Sequence, residues 1–241
     1  MSEKEVDSGN SSGEIDYVKW FSEVAKDDIK FVGGKGANLG EMYSAKFPIP
    51  PGFVVSAQSY RKFVEENKID VKIKETLEGI DVEDTKALNE ASKKVRELIE
   101  SGEIPEEMKD EILESYDILD EGKVNTGRVS SAAADILRTS HEKPFVAVRS
   151  SATAEDLADA SFAGQQESFL NVKGDADLLE KVRKCFSSLF TPRAIYYRTK
   201  NGFDHNEANL AVVVQKMVDS DKSGVMFSVN PVGTGKLKDS V

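Results

Sequence analysis

The segment from residue 145 to residue 172, FVAVRSSATAEDLADASFAGQQESFLNV, contains residue types that bind phosphate groups. An apolar run, Phe145 to Val148, is predicted to form a buried strand that delivers Arg149 to the start of a loop rich in Ser, Thr, Ala and Gly. The planar guanidinium matches phosphate oxygens, and small loop residues let backbone N–H groups approach a ligand. The loop ends at FAGQQ, and a second strand-like run, Ser168 to Val172, follows. On spacing alone, an ordinary hairpin with an exposed arginine explains the segment equally well.

A second basic residue, Lys35, lies in the glycine-rich run GGKGANLG, from Gly33 to Gly40. This run is predicted to join a strand to a helix, which would bring free N–H groups, the positive end of a helix and an ammonium together. The glycine spacing fits neither the Walker A pattern nor the dinucleotide pattern GxGxxG. A phosphate site and a glycine-rich turn that only starts a helix both remain open. The second basic anchor at Arg149 favours phosphate.

Several polar residues allow both a functional and a structural interpretation. Glu155, Asp156 and Asp159 follow Arg149 in the loop, where they could contact Mg²⁺ or be solvated carboxylates. Gln215 ends an apolar strand. Its amide could bind the edge of a nucleobase, or it could form a hydrogen bond with the backbone.

The histidines are interpreted as surface or structural residues, with a phosphate-accepting or base-like histidine as the alternative, and the cysteine is interpreted as structural. His141 and His205 are far apart in sequence, and neither has a Cys or His partner at zinc spacing. Cys185 lies on an apolar helical stripe, which predicts a buried, inert thiol. Because it is the single cysteine, an internal disulfide is excluded.

Composition excludes several classes of protein. The net charge is −11 and the pI is near 4.9, which argues against a nucleic-acid-binding protein. No apolar run approaches the roughly 20 residues that span a bilayer. Residues Met1 to Glu14 are polar and lack the apolar core of a signal peptide. We therefore expect a soluble cytoplasmic protein.

Apolar spacing predicts the elements that must position the candidate residues. Short strands are expected at Tyr17 to Val24, Phe53 to Ser56, Leu210 to Val214 and Gly224 to Val229. Helices are expected at about Asp84 to Ser101, from Pro105 through Leu119, at Thr126 to Ser140, after a cap at Asp175, and from a cap at Thr191 to Gly202. The charged helical block between residues 57 and 141 is interpreted as scaffold, without catalytic residues.

Five segments resemble, in order, the N-terminal nucleotide-binding region of the family of phosphoenolpyruvate synthase, pyruvate phosphate dikinase and the rifampicin phosphotransferases. They are VGGKGANLGEM (Val32 to Met42), IPPGFVVSAQSYRKF (Ile49 to Phe63), VAVRSSATAEDLADASFAGQQESFLNV (Val146 to Val172), SLFTPRAIYYR (Ser188 to Arg198) and VVVQKMVDSDKSGVMFSVNP (Val213 to Pro231). The run YVKWFSEV near the start is closer to the synthase than to the dikinase.

The resemblance implies an α+β fold of the ATP-grasp type, in which two lobes clamp a nucleotide. Residues 1–14 are expected to be disordered. The first lobe is expected over residues 15–216, with a helical insertion over 57–141, and the start of a second lobe over 217–241.

The resemblance also implies how ATP phosphates are bound. Lys35 and Arg149 would contact the phosphates, and Gly164 would supply a backbone N–H to them. Many members have a threonine four residues after that glycine. This chain has Ser168 there, which keeps the hydroxyl and lacks the methyl group.

For the adenine, the resemblance implies Gln215 and Met217, at the hinge between the lobes. It implies no metal ligand and no catalytic residue in this chain, because the family's magnesium ligands and a further arginine come from a later part of the second lobe. The phosphohistidine domain and the pyruvate-binding barrel are also absent. The chain is therefore expected to be a truncated part of a longer protein, inactive by itself.

The implied reaction of the whole enzyme converts ATP, pyruvate and water to AMP, phosphoenolpyruvate and phosphate through a phosphohistidine. Two alternatives stay open: the ATP lobe of an antibiotic phosphotransferase, and a nucleotide-binding module without turnover. ATP is the expected ligand, pyruvate would bind only to missing domains, and neither nucleic acid nor membrane is expected.

The strand Gly224 to Val229 would have an unpaired edge, so it should pair with a neighbouring chain, pack back on the first lobe or be disordered.

Overall fold

A computed structural model of the chain describes residues 15–120, 143–153 and 167–227. Five strands form one sheet in the order β1-β2-β5-β3-β4, and all neighbours are antiparallel. The strands are β1 (Val18–Trp20), β2 (Gly52–Val55), β3 (Val146–Ala152), β4 (Ser168–Val172) and β5 (Leu210–Lys216).

The helices follow the amphipathic segments of the sequence. They are α1 (Ile29–Ser44), α2 (Ala57–Glu66), α3 (Ile69–Leu77), α4 (Thr85–Glu100), α5 (Glu106–Asp120), α6 (Asp175–Ser187) and α7 (Pro192–Lys200). This mixture of helices and antiparallel sheet makes the chain an α+β protein, as expected. None of the described helices is both long and apolar enough to cross a lipid bilayer.

The sheet separates two apolar layers because its side chains alternate between its faces. On one face, buried residues of β2, β3 and β5 pack with the helical block, including Phe53, Val148 and Val214. On the other face, Val54 and Val213 pack against α1. The large core therefore belongs to the helical face, and α1 covers the opposite one.

Side chains cap the starts of two helices, and of the two predicted caps, Asp175 and Thr191, the one at Thr191 is confirmed. The Asp84 carboxylate accepts hydrogen bonds from two N–H groups of the first turn of α4, and the Thr191 hydroxyl accepts one from the backbone of Ala194. The predicted cap at Asp175 is wrong. That residue is the first of α6, and the capping position is Gly174, whose φ of 89° suits glycine.

The predicted strand from Gly224 to Val229 does not form over its described part, residues 224–227. There the side chains of Val225, Met226 and Phe227 are 83%, 94% and 64% exposed. A strand needs a partner for its backbone hydrogen bonds, and no described strand pairs with these residues. Two other predictions, the disordered N-terminus and the helix from Thr126 to Ser140, lie outside the described residues.

Candidate functional site

Strand register places three of the predicted site residues on one face of the sheet. Arg149 in β3 lies opposite Ser168 in β4 and opposite Val213 in β5. Gln215 lies opposite Ala147, two residues before Arg149 and therefore about 7 Å from it along β3. Directly opposed residues share a face, and Val213 packs against α1. Arg149, Ser168 and Gln215 thus all lie on the α1 face, away from the large core.

Arg149 lies in the middle of β3, so its predicted place at the start of a loop is wrong. The strand continues to Ala152, which lies opposite Leu210 of β5. Small serine side chains fit a buried strand when their hydroxyls are hydrogen-bonded, and those of Ser150 and Ser151 are. The side chains of this strand are buried except that of Arg149, which is half-buried and so remains accessible.

The predicted strand before the glycine-rich run is also wrong, because helical backbone precedes it. Phe31 and Val32 belong to the first turn of α1, and the helix is then broken at Gly33, which has φ 68° and ψ 171°. A Cβ at this glycine would lie 2.3 Å from both the carbonyl oxygen and the Oγ of Ser151. The break therefore needs glycine for its conformation and for the close approach of β3.

Lys35 follows the break and reaches β3. Its Nζ donates a hydrogen bond to the carbonyl oxygen of Ser150 at 2.9 Å. The structure thus brings its ammonium to the residue next to Arg149, although 114 positions separate the two in the sequence. The Gly36 N–H was expected to be free for a ligand, but it donates to the Ser151 Oγ at 3.2 Å.

Gln215 and Met217 are both anchored to neighbouring backbone. The Gln215 side chain is 9% exposed, and its Nε2 donates to the carbonyl of Pro50 at 3.1 Å. This contact is the backbone hydrogen bond that was one of its two interpretations. The N–H of Met217 donates to the Phe145 carbonyl at 2.9 Å, and its Sδ accepts from the Asn171 N–H at 3.1 Å.

The remaining candidates are only partly described. Ser168 is exposed at the start of β4. Gly164 and the acidic residues Glu155, Asp156 and Asp159 lie outside the described residues. Within residues 15–120, 143–153 and 167–227, no group of three His, Cys, Asp or Glu residues could hold a metal ion. The place of the magnesium ligands therefore stays a prediction.

A polar network that sequence reasoning missed fixes the residue before β4. Arg96 of α4 forms a 2.8 Å ion pair with Glu167, and its Nε donates to the Ser187 hydroxyl at 3.4 Å. The Glu167 carbonyl accepts from both the N–H and the Oγ of Ser150, at 3.1 and 3.2 Å. Arg96 and Glu167 are 71 residues apart, and no local pattern links them. The helical block, interpreted as scaffold, is thus connected through Glu167 to the strand that carries Arg149.

His205 lies away from this face, in a structural contact with Arg198. The buried guanidinium donates from Nε to His205 Nδ1 at 3.1 Å and lies over the Phe190 ring. Burial and the nearby Arg198 charge lower the pKa of His205 to about 4, so the imidazole is neutral at pH 7. This environment supports its structural interpretation. Cys185 is fully buried, as predicted, and burial raises the pKa of its thiol, which disfavours the reactive thiolate.

Comparisons with known proteins cover nearly the whole chain. The family model described as "Pyruvate phosphate dikinase, AMP/ATP-binding domain" matches residues 29–240. A probable phosphoenolpyruvate synthase of Methanocaldococcus jannaschii is 49% identical over 224 residues, which is 92% of this chain and 18% of that protein. A probable phosphoenolpyruvate synthase of Archaeoglobus fulgidus is 52% identical, covering 91% of this chain and 27% of the relative. A phosphoenolpyruvate synthase of Helicobacter pylori is 43% identical, covering 93% and 26%. The chain therefore spans less than a third of the length of these relatives.

Proposed function

The chain belongs to the family of the pyruvate phosphate dikinase AMP/ATP-binding domain, and on that basis we propose that the α1 face of its sheet is the ATP-binding surface of a phosphoenolpyruvate synthase. One observation carries the proposal. The ammonium of Lys35 lies at the residue next to Arg149, with Gln215 on the same face. Two cations, one from α1 and one from β3, together with an amide on β5 match a ligand with phosphates at one end and a nucleobase at the other.

The phosphate end is assigned to Lys35 and Arg149. The hydrogen bond to the Ser150 carbonyl fixes where the ammonium lies, and the paired strands fix the backbone from which the Arg149 side chain extends. Phosphoryl transfer depends mainly on positioning and on neutralising charge on the phosphates, which two held cations supply. Gly164 and Ser168 are proposed to complete this end with a backbone N–H and a hydroxyl.

The adenine end is assigned to Gln215 and Met217. The bond from Gln215 Nε2 to the Pro50 carbonyl orients the side-chain amide. A fixed amide can recognise a base edge without first losing rotamer freedom. Met217 follows the strand and offers a thioether, which packs well against an aromatic ring.

The larger architecture and reaction are part of the same proposal. Residues 15–216 would form the first lobe of an ATP-grasp fold, and 217–241 the start of the second. The whole protein would convert ATP, pyruvate and water to AMP, phosphoenolpyruvate and phosphate, through domains not in this chain. The relatives are named as phosphoenolpyruvate synthases, which favours pyruvate over a drug as phosphate acceptor. AMP formation by the full-length protein should require pyruvate; AMP formed equally without it would contradict this acceptor.

Calorimetric titration of the 241-residue chain with ATP and Mg²⁺ tests the site. Lys35→Ala and Arg149→Ala should each lower the affinity about tenfold or more, because each removes a charge-assisted hydrogen bond to phosphate. Lys93→Ala and Arg193→Ala are matched controls, since they remove the same charges from exposed positions on α4 and α7. They should leave affinity within about twofold.

Two results would count against the proposal. A folded, unaltered chain that binds no ATP would remove ATP binding from this part of the protein. Equal affinities of the site variants and the controls would show that ATP binds elsewhere, and the α1 face would lose its assignment.

A further inference from the structure

Ser151 occupies an unusual position relative to α1. Its side chain is fully buried on β3, and its Oγ donates to the carbonyl of Val32 at 2.8 Å while accepting from the N–H of Gly36 at 3.2 Å. In a continuous α-helix, that N–H would bond to that carbonyl directly, since the two residues are four apart. The hydroxyl of a residue 115 positions away is therefore inserted into the hydrogen-bond ladder of the helix.

Insertion of a side chain into the helical ladder is a recognised cause of a kink. Here the kink is at Gly33, the residue that follows Val32 and has a positive φ of 68°. The hydroxyl satisfies both backbone groups that the kink separates, so the open ladder leaves neither of them buried without a partner. The same contact brings Gly33 against Ser151, where only a glycine fits.

The position of Lys35 follows from this contact. Lys35 lies between the kink and Gly36, and its ammonium bonds to the carbonyl of Ser150, the residue before Ser151. Two consecutive residues of β3 thus hold the same helical turn, one through its side chain and one through its backbone. If the ladder closed, residues after the kink would rotate about the helix axis, and the ammonium would leave β3.

We propose that Ser151 is a positioning residue for the phosphate-binding lysine: its hydroxyl holds α1 open at Gly33 and so places Lys35 beside Arg149. The role in phosphate binding rests on the proposed function, whereas the open helix does not. Ser151→Ala removes the hydroxyl with little change of volume. The freed N–H of Gly36 and carbonyl of Val32 should then bond to each other, closing the ladder.

NMR of the nucleotide-free chain tests the open helix. In the unaltered protein, the Ser151 hydroxyl proton should exchange slowly and show a nuclear Overhauser effect to the Gly36 amide. In Ser151→Ala, the amide resonances of Gly33, Lys35 and Gly36 should shift. In the control Ser150→Ala they should stay, because that variant loses a hydroxyl that bonds to Glu167 but keeps the backbone carbonyl that holds Lys35. The nuclear Overhauser effect in the unaltered protein decides whether the Ser151 hydroxyl is inserted into the helix, even if Ser151→Ala does not fold.

A double-mutant cycle on ATP affinity tests the positioning role. Ser151→Ala should weaken binding about tenfold in the otherwise unaltered chain and less than about twofold in the Lys35→Ala background, because the two residues act as one unit. A purely structural role would give the same loss in both backgrounds.

Each arm has a result that overturns its claim. The claim that Ser151 holds the helix open is overturned if the Ser151 hydroxyl shows no nuclear Overhauser effect to the Gly36 amide. It is also overturned if the amide resonances of Gly33, Lys35 and Gly36 do not shift in Ser151→Ala. Additive losses in the cycle overturn the positioning role and leave ATP binding intact. If the unaltered chain binds no ATP, the proposed function and the role in phosphate binding both fail, and NMR still decides whether Ser151 opens the helix.

Discussion

At the scale of single residues, Gly33 combines two constraints that can be separated by a matched pair of substitutions. Gly33 and Gly79 have nearly equal positive φ angles, 68° and 71°. A Cβ at Gly33 would lie 2.3 Å from Ser151 atoms, whereas one at Gly79 would have nothing within 4 Å. Of these two positions, only a substitution at Gly33 would therefore be destabilised both by the backbone conformation and by a steric overlap.

We predict that Gly79→Ala lowers the free energy of unfolding by about 1 kcal/mol, the usual cost of a left-handed conformation in an L-residue. Gly33→Ala should lower it by about 3 kcal/mol or more, because φ 68° with ψ 171° is a conformation that essentially only glycine adopts and because β3 must also move. Urea unfolding of both variants measures the difference. Equal losses would mean that β3 yields without cost and that the close approach is not a constraint.

Sequence reasoning made Lys35 and Arg149 candidates for phosphate binding because their charged side chains suit phosphate and their segments resemble the family's. It missed Ser151 because a serine within a buried strand has no local signal, and its partners lie 115 and 119 residues away. The backbone around Gly33 was predicted as strand followed by helix. A short apolar run such as that ending in Val32 does not distinguish a strand from a helical turn.

At the scale of elements, the charged residue Arg96 links α4 to Glu167, the residue before β4. Arg96 pairs with Glu167 at 2.8 Å, and both side chains are about 30% exposed. On the same helix, Lys93 pairs with Glu97 at 3.8 Å, and those side chains are 76% and 67% exposed. The two pairs differ in solvent exposure and in whether they connect separate elements.

Arg96→Ala should lower the free energy of unfolding by about 1–2 kcal/mol, since it leaves the half-buried Glu167 carboxylate without its cationic partner, whereas the Ser187 hydroxyl keeps its hydrogen bonds to Glu100 and to the Lys184 carbonyl. Lys93→Ala should change it by less than about 0.5 kcal/mol. Chemical unfolding at low and at 0.5 M salt measures both. A similar loss in the two variants would show that Arg96 does not link α4 to β4.

Helices were better predicted than strands, for a physical reason. A helix such as α4 makes its own backbone hydrogen bonds, so its apolar stripe and the cap at Asp84 are sufficient to locate it. A strand exists only with a partner. The apolar run at residues 224–227 has the composition of a strand but remains exposed, and β3 extends beyond its apolar residues because β5 pairs with it as far as Ala152.

At the scale of the whole molecule, pH should affect stability through a group outside the proposed ATP-binding residues. His205 lies between α7 and β5, and its Nδ1 accepts the Nε–H of the buried Arg198. Its Nε2 lies 3.2 Å from the Thr199 hydroxyl, and the Asp204 charge only partly offsets that of Arg198. Protonation at Nδ1 would remove this acceptor and place two cations together.

The sign of the pH effect follows from the two pKa values of His205. In the folded chain the pKa is about 4, and in the unfolded chain it is near 6.5. Between these values the unfolded state binds a proton that the folded state does not, so stability falls as pH decreases from about 6.5 to about 4. His205→Asn keeps an acceptor for Arg198 and cannot be protonated, so its melting temperature should fall less over this range. Because both proteins carry the same carboxylates, the difference between the two melting curves reports on the histidine. Parallel curves would mean that Arg198 does not hold His205 neutral.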